Sequence, residues 1–169
     1  MDDGIAKTST SRTIAWLPMV AAIVALVGIG DSIYLTYHHY SGTDVQCSLI
    51  EGCEMVLSSP YATLGGMIAA TTGKVVFEMG SAIGNLPLAG AGLISYLAAF
   101  LLALTAAFGN YRMWKLFGAV VVFMFVFTLF LLYVQGYLIG YFCQFCLLSA
   151  ATTTTLFILF LISLFRRRA

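Results

Sequence analysis

The sequence predicts an all-α integral membrane protein: a bundle of four transmembrane helices with one long outer loop between the first and second. Three observations predict this. The chain of 169 residues is 61% hydrophobic and only 9% charged, where soluble domains carry about 25% charged residues. Four stretches each reach the roughly 20 apolar residues that a spanning helix needs. The basic residues fall almost wholly on one side of those stretches. A net charge of +1 gives no case for nucleic-acid binding.

The first span covers about 14–37 and is interrupted only by Asp31. A signal peptide is the alternative reading. No clear small-residue cleavage site follows, and the stretch is long for a signal's apolar region, so a retained helix is expected. The second span covers about 86–108, the third 116–134 and the fourth 143–165. Short links at 109–115 and about 135–142 imply antiparallel neighbours in a bundle. The run Thr152–Thr155 need not break the fourth helix, because threonine hydroxyls bond to carbonyls one turn back. The whole of 1–169 reads as a single membrane domain.

Orientation follows from charge. With the N-terminus inside, Lys7, Arg12, Arg112, Lys115, Arg166, Arg167 and Arg168 are cytoplasmic and only Lys74 is outside. That is the positive-inside pattern. Both termini are then cytoplasmic, and the loop 41–85 faces the periplasm or other extracytoplasmic side, the lumen in a eukaryote. Asp44, Glu51, Glu54 and Glu78 fall outside with it.

The chemistry is carried by the four cysteines. Cys143 and Cys146 form a C-x-x-C pair where the fourth span meets water. A thiol at a helix N-terminus lies by unpaired N–H groups and the positive end of the dipole, which favours thiolate. Residues at i and i+3 share a face, so this pair suits a dithiol that is made and broken. Cys47 and Cys53 lie in the loop, on the same side of the membrane. Their spacing permits a disulfide but not the usual zinc pair, and no metal site is expected. The bland alternative is a structural tetraspan protein with two static disulfides. A small transporter with Asp31 on its path is a third reading, lacking the repeats that transporters often show. Asp31 is an ionisable group in a span and hence a functional candidate; its bland reading is a solvated or helix-capping carboxylate near the outer edge. His38 and His39 read as interfacial. The Gly-rich segment 65–82 reads as a short helix lying on the bundle or membrane surface.

The combination resembles a known family. Cys47 and Cys53 are followed by Val56-Leu57-Ser58-Ser59-Pro60-Tyr61-Ala62-Thr63, then Leu86-Pro87-Leu88-Ala89 with Gly92, then C-x-x-C opening the last helix. This is similar to the vitamin K epoxide reductase family. Gly30-Asp31-Ser32-Ile33-Tyr34-Leu35-Thr36 in the first helix looks like its bacterial and archaeal branch. The resemblance implies a four-helix bundle holding a quinone (ubiquinone, menaquinone or vitamin K) beside the C-x-x-C pair. It implies an enzyme, a thiol–disulfide oxidoreductase. Electrons pass from a thioredoxin-fold partner to the loop cysteines, on to the C-x-x-C pair and then to the quinone, supporting disulfide formation. By position, Cys146 meets the quinone, Cys143 exchanges with the loop through Cys53, and Cys47 faces the partner. Ser59 matches the family's serine near the active site, and Asn85 lies close to a family asparagine; with Asp31, a candidate from its place in the span, they are the expected quinone-site residues. Reduction of vitamin K epoxide or vitamin K is the alternative activity. Animal members have Tyr where this chain has Ala150, and an Asn near Asn85. Some bacterial members carry a fused thioredoxin-like domain; here, with Ala169 following a basic anchor, a separate partner is expected.

Overall fold

The computed structural model describes residues 3–42, 45, 52–73 and 84–168, with side chains from Trp16 onward except at 111, 167 and 168. In chain order the elements are α1 (Asp3–Ser41), α2 (Cys53–Leu57), a 3-10 turn (Pro60–Ala62) and α3 (Leu64–Thr72). Then come α4 (Leu88–Ala107), α5 (Tyr111–Tyr133), a π turn (Val134–Ile139) and α6 (Gln144–Arg168). Cys47, Asp44, Glu51, Lys74 and Glu78 lie outside the described residues.

Among the described residues four helices are long and apolar enough to span a bilayer: Trp16–Ser41, Leu88–Ala107, Arg112–Ile139 and Gln144–Arg166. The third departs from expectation. The link assigned to about 135–142 is helical up to Ile139, because the backbone widens into a π turn rather than ending at Val134. Gly140 closes it in the left-handed region at φ 75°, donating its N–H to Gln135 O at 2.9 Å. A side chain at such a φ is strained, so glycine is the natural stop. The loop departs as well. Much of 52–72 is wound into short helices, and α3 covers the first part of the Gly-rich segment 65–82, of which 74–82 lie outside the described residues.

The four spans close a ring. α1 packs on α4 and α6, and α5 packs on α4 and α6. Small residues make the α1–α4 seam close: Ala21, Ala25 and Gly28 on α1 meet Ala99 and Ala103 on α4, and the four alanines are fully buried. Spacings of three and four keep each set on one face. In lipid, where apolar contact with a neighbour gains little over contact with acyl chains, such residues let backbones approach and pack. A Cβ on Gly28 would overlap the Tyr96 ring, so glycine here is what admits a tyrosine into the seam. The α5–α6 side is built on aromatics instead. Trp114 stacks on Phe117 with centroids 4.6 Å apart, and its Nε1 donates to Ser163 Oγ at 2.7 Å. Met19, Ile23 and Val126 point outward, as lipid-facing positions should.

The threonine run behaves as expected, with one exception. Thr152, Thr154 and Thr155 donate to Leu148 O, Ala150 O and Ala151 O at 2.9, 2.7 and 2.8 Å. Thr153 turns inward to Tyr96 instead.

The loop is fastened to the mouth of α4. Leu64 N–H donates to Leu86 O at 3.0 Å and Gly65 N–H to Gly84 O at 3.1 Å, beside an isolated bridge between Thr63 and Pro87. Thr63 Oγ1 caps α3 by accepting from Gly66 N–H at 3.2 Å, satisfying one of the helix's orphan donors.

Candidate active site

α6 begins at Gln144, so Cys143 stands at its N-cap. Its carbonyl accepts the first helical bond, from Leu147 N–H at 3.0 Å. Its sulfur takes the part that a serine or aspartate oxygen plays at other helix starts, accepting from the N–H groups of Phe145 and Cys146. The Cys146 thiol donates to the same sulfur and is the largest of the influences that push the Cys143 pKa down to about 7; burial opposes it. The C-x-x-C spacing thus makes one cysteine a hydrogen-bond donor to the other. Both are free thiols.

The two differ in what they face. Cys143 is fully buried in a cluster with Cys53 and Val56, flanked by Val45, Leu57, Ile139 and Phe145. Cys53 is disulfide-bonded, and its partner lies outside the described residues. Contact between Cys53 and Cys143 depends on Gly52. A Cβ there would lie 2.7 Å from Phe142 O, so only glycine lets α2 settle against the backbone leading into the C-x-x-C pair. Cys146, in contrast, belongs to the wall of a cavity of about 310 Å³ enclosed by the four spans and capped by the loop.

That cavity is mostly apolar, with a few polar groups in its wall, the ordinary make-up of a small-molecule site. α1 contributes Asp31, Ser32 and Leu35, α4 contributes Gly92, Ser95 and Tyr96, and α6 contributes Cys146, Ser149, Ala150 and Thr153. α5 and the π turn add Phe123, Phe127 and Gln135, and the loop adds Val56, Ser59 and Tyr61. Its volume lies at the small end for ligand pockets, which suits a flat ring system.

Of the expected site residues, Asp31, Ser59 and Cys146 reach this wall. Ser59 also donates to Val56 O at 2.7 Å, which fixes its hydroxyl. Asn85 is exposed on the turn before α4 and is not among the residues of the cavity wall; the same turn is bonded to α3 through Gly65 N–H and Gly84 O. Asp31 is neither solvated nor a cap. It is 8% exposed and lies within the unbroken α1.

Two groups escaped the sequence reading. Tyr96 is 1% exposed. Its hydroxyl donates to Ser149 O at 2.9 Å and lies 2.9 Å from Ser149 Oγ and 2.8 Å from Thr153 Oγ1. A phenol therefore stands beside Ala150, delivered by α4 rather than by α6. Its signal was a tyrosine among small residues, Gly92, Ala99 and Ala103, at helical spacing. Gln135 is the second. Its Oε1 accepts Cys143 N–H at 3.4 Å, and its side chain also bonds to Cys146. A lone amide closing an apolar run just before C-x-x-C was its signal. The π turn aims it inward, as such turns often do at functional sites.

A profile of the vitamin K epoxide reductase family matches residues 19–161. The chain belongs to the vitamin K epoxide reductase family. That makes it an integral, multi-pass membrane oxidoreductase whose reduction chemistry is linked to quinones. No curated protein matches the chain. The match takes in most of each of the four spans, the loop and both cysteines of the C-x-x-C pair. Among the described residues no group of three or more His, Cys, Asp or Glu side chains is arranged to hold a metal ion. The cavity fits a quinone as substrate: an apolar slot, a thiol in its wall, and polar groups from three helices.

Proposed function

We propose that this chain is a thiol:quinone oxidoreductase. It draws electrons from a thioredoxin-fold partner through Cys47 and Cys53, passes them to Cys143 and Cys146, and delivers them to a membrane quinone. The supporting observation is the division of labour in the C-x-x-C pair. Cys143 is buried against Cys53, while Cys146 opens on the cavity. A partner dithiol reduces the loop disulfide by exchange, and the Cys53 thiolate attacks Cys143, releasing Cys146. Attack by Cys47 on Cys53 then frees Cys143. Each exchange moves two electrons inward and one disulfide outward, and a lower-pKa leaving thiol departs faster. The Cys143–Cys146 dithiol is reoxidised as the quinone becomes quinol. The positive-inside distribution supports an extracytoplasmic side for the four cysteines, where the net outcome would be disulfide formation in secreted proteins.

The test is anaerobic mixing of the purified, reduced protein with ubiquinone, menaquinone or vitamin K epoxide, following thiol loss and product formation. Cys146→Ser removes the sulfur in the cavity wall and abolishes product, whichever acceptor is used. Substantial quinol from that variant defeats the assignment. Turnover of the epoxide but not of the quinones would give this site the alternative activity.

A further inference from the structure

We infer that Asp31 is a catalytic residue that donates a proton to a quinone oxygen, using a carboxyl group left without a protein partner in the wall of the cavity on which Cys146 opens. This rests on the quinone reading above and adds a group to it.

Both carboxyl oxygens of Asp31 are buried and without a hydrogen-bond partner. Among the described residues, the only other buried side-chain N or O atom in that condition is Thr36 Oγ1, and Thr36 is not in the cavity wall. Leaving a buried carboxyl unmatched costs several kcal/mol unless it keeps its proton or finds a donor. The rest of the wall offers no relief. Tyr96 is engaged with Ser149 and Thr153, Gln135 with Cys143 and Cys146, and Ser59 with Val56. Among the described residues no Lys or Arg lines the cavity. A protonated carboxyl there has an O–H to give and nothing in the protein to receive it; a carbonyl oxygen of a bound ring is such an acceptor.

Quinone reduction needs this kind of group. The quinone takes up two electrons and two protons, and the dithiol gives up the same. Two S–H bonds break, the Cys143–Cys146 S–S bond forms, and two O–H bonds form on the quinone. In this assignment the Asp31 proton goes to the nearer oxygen as the electron pair leaves sulfur. The carboxylate regains a proton from the Cys146 thiol. The Cys143 proton leaves to water, and water supplies the second quinone oxygen. The titratable groups facing the same space are Cys146 from α6, Tyr96 from α4, Tyr61 from the 3-10 turn and His39 further along α1; α5 and the π turn contribute none.

Asp31→Asn keeps the shape and removes the transferable proton. Single-turnover quinol formation by the reduced, full-length variant should fall by roughly 10²–10⁴-fold, the usual worth of a positioned acid. Quinone affinity should stay within a few-fold of wild type. The alkaline decline in the wild-type rate should vanish in Asp31→Asn and return in Asp31→Glu. The melting temperature of Asp31→Asn should equal or exceed that of wild type. A rate within threefold of wild type overturns the inference alone. A marked loss of melting temperature does so too, since the carboxyl would then be a structural anchor. A wild-type protein that forms no quinol from any acceptor overturns both this inference and the reading beneath it.

Discussion

At the scale of the single residue, the chemistry turns on one sulfur placed where helices usually carry an oxygen. Cys143 holds the N-cap, and hydrogen bonds from the Cys146 thiol and two backbone N–H groups bring its pKa from 9.0 to about 7. Below that pH the thiol keeps its proton; above it the thiolate dominates. Ultraviolet thiolate absorbance of the reduced protein should therefore titrate with a midpoint near pH 7. In Cys146→Ala the strongest donor is gone and the midpoint should move up towards 9.0; an unmoved midpoint would mean that the backbone alone sets the acidity. The sequence showed this much in outline, because a C-x-x-C pair at a span boundary already implies an N-terminal thiol. Which cysteine is acidic was not legible from spacing. It depends on the helix starting at Gln144 rather than a residue or two earlier, a matter of backbone geometry.

Helices and turns were read unevenly, for physical reasons. The spans were legible because about 20 apolar residues in a row have few alternatives to a membrane helix. The π turn was not. Val134–Ile139 is apolar enough to continue α5, but the widened turn rests on local bonding that composition does not encode. The exposure of Asn85 was hidden by a similar limit. Proximity in sequence to α4 said nothing about a turn drawn towards α3 by a backbone bond. Short elements also explain why Gly52 matters. Gly52→Val should push α2 off Phe142 and part Cys53 from Cys143, at the cost of about 1–3 kcal/mol typical of overpacking. Oxidation of a thioredoxin-fold partner should then slow by roughly tenfold or more, while single-turnover quinol formation by the pre-reduced protein stays near wild type. Equal slowing of both steps would show that the substitution damages the bundle rather than the junction.

For the whole molecule, the positive-inside pattern carries a prediction that the helical arrangement alone does not test. After mild reduction, a membrane-impermeant maleimide added to intact cells or spheroplasts should label the loop cysteines without permeabilisation. Labelling only after permeabilisation would invert the orientation. The four-span ring and the cysteine positions were legible from sequence. The polar contents of the cavity were mostly not, since Tyr96, Ser149 and Thr153 become neighbours only when α4 and α6 meet. The fastening of the loop at Leu64–Leu86 and Gly65–Gly84 has a kinetic meaning of its own. It leaves Cys53 on a tether of a dozen or so residues whose far end cannot drift from the bundle. A short tether of this kind holds its tip at an effective concentration in the millimolar range. In the proposed relay, a loop thiol that has met a partner would return to Cys143 in competition with free thiols at comparable strength, and the clasp at α4 would bias that contest towards the protein's own circuit.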